Sequence, residues 1–210
     1  MADWATISSL ATAGGTLVLA MATFASVRSA NRAARIAEES LLVGLRPLLV
    51  HSRGDDPSQK ALWSDQHKAL VRGGRAVVEV VGDVIYLALS LRNAGAGLAL
   101  LHGWHFTPAA FVRDLAHAEP EEFRRLGIDL YIPPGDVGYW ESAIRDVEDP
   151  ARAGLLAAIS EPHAFTIDLL YGDSVGGQRT ISRFTLLPVE GTEWLPQVGR
   201  HWNIDRADPR

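Results

Sequence analysis

Between Asp3 and Arg28 the chain runs for twenty-four residues, Trp4 to Val27, without a charged side chain. As a helix rising about 1.5 Å per residue, this run spans about 36 Å, enough for a hydrocarbon core of about 30 Å. Soluble helices normally carry charge on one face, so an uncharged run of this length reads first as a membrane span. Its content is mild: eight strongly apolar residues are diluted by six Ala, seven Ser or Thr, and Gly14-Gly15. Ser8, Ala11, Gly15 and Val18 share one helical face, and the spacing of Ala11 and Gly15 lets a second backbone approach closely. The span is therefore expected to pair in the bilayer with a copy of itself or with another membrane protein. Two alternatives stay open. A cleaved signal peptide would have a basic start, which Met-Ala-Asp-Trp lacks, although Ala20-Met-Ala22 offers small residues for cleavage. An Ala-rich helix could instead dock a soluble chain on a partner complex.

Arg28, Arg32 and Arg35 follow the run immediately, and no Lys or Arg precedes it. The positive-inside rule then predicts a cell-membrane protein with its C-terminal part in the cytoplasm. Ser29 to Leu45 keeps helical composition, with Ala30, Ala33, Ala37, Leu41 and Leu45 at heptad-like spacing. It is expected to extend the helix as a stalk, or as a short coiled coil, until Gly44 and Pro47 stop it. The predicted organisation is a transmembrane helix over 1–28, a stalk over 29–46 and a β-sandwich domain over 47–210.

Beyond Pro47 the hydrophobic period changes to two. In Val84–Arg92, Ile85, Leu87, Leu89 and Leu91 alternate with Tyr86, Ala88, Ser90 and Arg92. In His163–Tyr171, Phe165, Ile167, Leu169 and Tyr171 are expected to face in, with Thr166 and Asp168 facing water. Further strands are predicted at 46–52, 76–81, 98–106, 138–145 and 179–187, with a short one at 128–132. Asn93-Ala-Gly-Ala-Gly97 and the run from Gly172 to Gly177 supply turn residues between antiparallel neighbours. Thr107-Pro108 and Asp149-Pro150 are read as helix starts, giving helical insertions near 109–126 and 151–159. The predicted fold is mainly β, an immunoglobulin-like antiparallel sandwich with helical insertions. Trp194, Leu195, Val198, Trp202 and Ile204 carry too much apolar surface for a free tail, so the C-terminus is expected to pack back as far as Ile204. Arg53 to Arg75, with Trp63, His67, Lys68, Arg72 and Arg75, is read as a long loop.

The single span, the stalk entering Leu45-Arg46-Pro47-Leu48, the strand end Leu91-Arg-Asn-Ala-Gly-Ala-Gly97 and the closing Arg200-His-Trp-Asn203 resemble single-pass membrane proteins of GC-rich bacteria. Eighteen Arg against two Lys fit that bias. The resemblance implies a C-terminal sandwich-like domain and no known activity.

Chemistry is sparse in the pattern. Without cysteine there is no thiol nucleophile, thiolate zinc site or iron–sulfur cluster, and a net charge of −5 disfavours nucleic acid as a partner. His102 and His105 are the only close histidine pair, and on a regular strand residues three apart point to opposite faces, so sharing an ion requires a bulge. Among the acidic residues Asp129, Asp136, Glu141, Asp168 and Asp173, no spacing forces two together, and Asp136 and Asp173 sit in turn-like sequence. Arg53-Gly54-Asp55 reads as a loop. No nucleophile elbow, phosphate loop or dinucleotide fingerprint occurs. The expectation is a protein-binding or scaffold module in contact with the lipid bilayer, with no cofactor, metal or catalytic residue. An enzyme whose groups converge only in three dimensions is the alternative, and a pocket holding two of Asp129, Asp136, Glu141, Asp168 and His163 would favour it.

Overall fold

The computed structural model describes residues 3–110, 116–174, 177–189 and 191–205. It divides into two units, residues 1–44 and 45–210.

The first unit is one helix, α1 (Trp4–Gly44), which covers both the uncharged run and the arginine-bearing stalk. Its segment Ser8–Glu38 is long and apolar enough to cross a membrane, and none of the apolar window is buried. Thr12 and Thr16 turn their hydroxyls back onto the carbonyls of Ser8 and Thr12, at 2.9 and 2.8 Å. Polar side chains are thus partly satisfied within the helix itself.

The second unit is mainly β and antiparallel. Its strands are β1 (Leu49–His51), β2 (Gln59–Leu62), β3 (Lys68–Val71), β4 (Ala76–Val81), β5 (Val84–Asn93), β6 (Ala99–Thr107), β7 (Arg124–Ile132), β8 (Val137–Ile144), β9 (Phe165–Gly172), β10 (Thr180–Pro188) and β11 (Glu193–Asn203). Nine of them join one sheet in the order β1-β5-β4-β11-β10-β9-β6-β7, with β8 also on β5. The sheet folds over itself: Trp104 of β6 meets Trp140 of β8 edge to face at 5.3 Å, although these strands lie far apart in the hydrogen-bonded order. Ile85, Leu87, Leu89 and Leu91 face this core together with Phe165, Ile167, Leu169 and Tyr171, as the alternation predicted. Helix α2 (Arg152–Ser160) adds Leu155 and Ala158 to it.

The outer faces depart from expectation. β2 and β3 pair as a hairpin, so the region read as a long loop is ordered structure. Ala61, Trp63 and Val71 of that region cover Val77, Tyr86 and Ala88, which burial would otherwise leave wet. On the opposite layer Thr166 and Asp168 are buried, because Phe123, Leu170, Ile181 and Trp202 form a second outer cluster there. Asp168 survives at zero exposure through a bidentate pair with Arg183 at 2.8 and 2.6 Å.

The helical insertion expected near 109–126 contains no α-helix among its described residues, and its part at 111–115 lies outside them. A 3₁₀ turn, Pro120–Glu122, is followed by β7, which claims Arg124 and Arg125 by pairing with β6. The insertion over 151–159 does form, as α2. The C-terminal segment packs back as expected, and it does so as β11, seated between β10 and β4.

Candidate functional site

β7 and β8 are joined only by Pro133-Pro-Gly-Asp136, a connection that usually makes a hairpin. Here they part. β7 pairs with β6 and β8 pairs with β5, so among the described residues each keeps one edge without a strand partner. The turn itself explains the separation. Gly135 adopts a positive φ of 75° and its N–H bonds to the Asn93 carbonyl at 2.9 Å, while the Asn93 N–H bonds to the Asp136 carbonyl at 3.0 Å. Asp136 accepts the Val137 N–H at 2.7 Å, so its carboxylate serves the turn. The junction is thereby fastened to the end of β5, and β8 leaves along β5. β7 bends as well: between the pairs Leu101↔Leu130 and Gly103↔Arg125 it spends four residues, Leu126–Asp129, opposite His102 alone.

A cleft of about 630 Å³ opens between the two edges and the end of the β2–β3 hairpin. Leu62 and Ile128 stand at its lips with roughly half of their surface in water. Its floor is fixed by two side-chain bonds. The Trp63 indole donates to the Ser142 carbonyl at 2.9 Å, and the Leu62 N–H donates to the Glu141 carboxylate at 3.2 Å. Burial pushes the Glu141 carboxyl above its usual range. Beside it Asp65 binds Arg145 at 2.9 Å and accepts the Tyr86 hydroxyl at 2.6 Å. Those bonds, the tyrosine's foremost, pull Asp65 down to about 2. The cleft thus combines apolar lips, two strand edges and the Trp63 indole, with Glu141, Arg125 and Arg145 as the charged groups of its lining.

The other candidate acids lie elsewhere. Asp129 lines a separate polar cavity with His102, Arg125 and Arg179, Asp168 is locked to Arg183, Asp173 accepts the Gly177 N–H at 3.0 Å, and His163 is exposed beside Glu161. Of Asp129, Asp136, Glu141, Asp168 and His163, the cleft holds Glu141 alone and the cavity beside His102 holds Asp129 alone.

The geometric objection to the histidine pair needs correction, because β6 does contain the bulge, between Leu101 and Gly103. With Leu101 and Trp104 both in the core, His102 and His105 fall on the same outer face. Even so, no group of three ligands gathers among the described residues. His105 packs against Phe123, ring centroids 5.8 Å apart. Arg53–Asp56 is a turn closed by the Asp56 carboxylate on the Arg53 N–H.

The structure also joins residues that no motif connected. The Leu49 N–H donates to the Tyr171 hydroxyl at 3.0 Å, which lies 2.8 Å from Ser182 Oγ, and that oxygen lies 2.6 Å from His201 Nδ1. Burial pushes the Tyr171 phenol up to about 12. Ser182 has no exposed surface, so this chain is a core clasp between β1, β9, β10 and β11 and not a nucleophile open to substrate. Along α1, Ser8, Ala11, Gly15 and Val18 are exposed, as are Arg28, Arg32 and Arg35.

No protein-family model, curated protein or solved structure matches this chain.

Proposed function

We propose that this chain is a membrane-anchored interaction module: α1 spans the cell membrane, and the β domain, an immunoglobulin-like sandwich in the cytoplasm, binds an extended segment of another protein without catalysis of its own. The observation that carries the reading is the cleft between β7 and β8. Two strand edges without a strand partner among the described residues face one opening, and natural sheets normally cover, bulge or charge such edges. A partner strand entering there gains main-chain hydrogen bonds from an edge and pockets for alternate side chains, the physics of strand addition. Leu62 and Ile128 supply apolar contact at the rim. The uncharged length of α1 and the arginines that follow it support the anchor and its orientation.

The test is a photo-reactive amino acid placed at Ile128 in the full chain in cells, with Val147, equally exposed outside the cleft lining, as the control. A discrete protein adduct at residue 128, absent at 147 and lost when Leu62 is changed to Arg, is expected. Equal labelling from both positions would refute the cleft as a docking site.

A further inference from the structure

We propose that the arginines after the uncharged run form a binding site for an anionic phospholipid headgroup, a role that rests on α1 spanning the bilayer. On a helix advancing about 100° per residue, Arg28, Arg32 and Arg35 fall within about 60° of one another, with Phe24 and Asn31 on the same side. Together with Val27 these residues line one groove of about 420 Å³ along α1. The groove is graded. Phe24 and Val27 form its apolar end toward the bilayer, and Asn31 and the three guanidinium groups form its polar end toward water. A phospholipid is graded in the same sense, acyl chains then phosphate.

Depth agrees with this match. Centred on a hydrocarbon core of about 30 Å, the run from Trp4 to Val27 leaves the Arg28 backbone about 4 Å beyond the hydrocarbon, inside a headgroup layer about 5 to 7 Å deep. Arg32 and Arg35 start farther out, about 10 and 14 Å beyond the same boundary. Side chains on a helix lean toward its N-terminus, which here is toward the bilayer, so Arg32 reaches back to the phosphate level and Arg35 lies at its outer margin. Guanidinium groups suit that ligand because their planar fork bonds phosphate oxygens in pairs. The small-residue face, Ser8, Ala11, Gly15 and Val18, is centred about 110° away around the helix. A second helix packed on that face would leave the arginines turned toward lipid.

The measurement is lipid selectivity of the full chain in phosphatidylcholine vesicles containing a minority of phosphatidylglycerol, read with spin-labelled forms of each lipid. Wild type is expected to prefer phosphatidylglycerol about fivefold, the effect of about one well-placed charge at the surface. The triple variant Arg28→Gln, Arg32→Gln, Arg35→Gln should show no preference, and the triple lysine variant should fall between the two. Equal preference in wild type and the glutamine variant overturns the site, and so does a lysine variant that matches wild type, since a diffuse field would then suffice. Loss of the preference on adding inorganic phosphate would make it a site for free phosphate and also overturn the lipid assignment. Alkaline washing separates the two levels of the argument: a chain released from the vesicles refutes the span, whereas a retained chain without selectivity refutes only the headgroup site.

Discussion

Replacing Asn93 by Ala removes four hydrogen bonds from the interior of the β domain. The side chain has no exposed area and makes four hydrogen bonds. Oδ1 accepts the N–H groups of Leu48 and Gly95 at 3.2 and 3.0 Å, and Nδ2 donates to the carbonyls of Gly97 and Ile132 at 2.7 and 2.9 Å. One amide thus ties the entry to β1, the loop before β6 and the end of β7, the strand that borders the cleft. Each bond contributes about 0.5 to 1.5 kcal/mol net, so losing four costs about 2 to 6 kcal/mol, with about 4 as the central figure. Against a total stability of about 5 to 15 kcal/mol this is a large fraction. For a domain of this size the melting temperature should fall by about 8 to 16 °C. Near-ultraviolet circular dichroism of the full chain in detergent follows the transition, because Trp104, Trp140 and Trp194 report core packing. Asn93→Asp keeps both accepted bonds but turns a buried negative oxygen toward two carbonyls, so it should cost at least as much at neutral pH and recover partly on acidification. A shift below about 3 °C for Asn93→Ala would refute the clasp.

Arg183→Met strands the Asp168 carboxylate in a fully buried position and should cost about 3 to 5 kcal/mol in denaturant unfolding, while the double variant with Asp168→Leu should regain most of it. Glu141 binds its proton more readily folded than unfolded, so its contribution is complete below the ordinary value of 4.5 and fades as pH rises through the raised folded value. Glu141→Gln should therefore match wild type in acid and exceed it in stability at alkaline pH; an acid-specific gain would contradict the assignment. Asp65 works in the opposite direction. Its depressed value stabilises the hairpin above the ordinary 3.8 and is lost as pH falls toward about 2, so hydrogen exchange in β2 and β3 should accelerate over that interval, and less so in Tyr86→Phe.

The inner faces were legible because strict alternation in β5 and β9 marks one side of a sheet. What covers the other side was not. The β2–β3 hairpin hides Tyr86 and Ala88 with only a few apolar residues, since Lys60 and Lys68 dilute its sequence to the composition of a loop. Asp168 reads as solvent-facing because its partner Arg183 is on the next strand, and pairing across strands leaves no local trace. Bulges also decide which face a side chain takes. Trp194 and Trp202 are eight residues apart and would share a face on a regular strand. The register skips Gly199 between Arg183↔Arg200 and Phe184↔Val198, so Trp194 enters the core and Trp202 the outer cluster. The bulge at His102 has the opposite effect on the histidine pair, bringing onto one face two residues that a regular strand would separate. The helix signal at Thr107-Pro108 yielded at both ends to strand pairing, Thr107 with Thr166 of β9 and Arg124 and Arg125 with β6, an instance of tertiary contact overriding local propensity. The cleft had no signature in the sequence, because it comes from two consecutive strands failing to pair, a choice made by Asn93 and the Gly135 turn. The uncharged run and the helical composition of Ser29 to Leu45, by contrast, announced α1.

Compartment decides which partners can reach the cleft, so the orientation of residues 47–210 is the most direct test of a membrane-anchored cytoplasmic module. Fusions of alkaline phosphatase and of a fluorescent protein after Arg210, combined with alkaline washing of the membranes, measure it. A chain retained in the membrane pellet is expected, with the fluorescent fusion bright and the phosphatase inactive, and a mixed or inverted population once Arg28, Arg32 and Arg35 are changed to Gln. Release by the wash, or an active phosphatase with a dark fluorescent fusion, would contradict it.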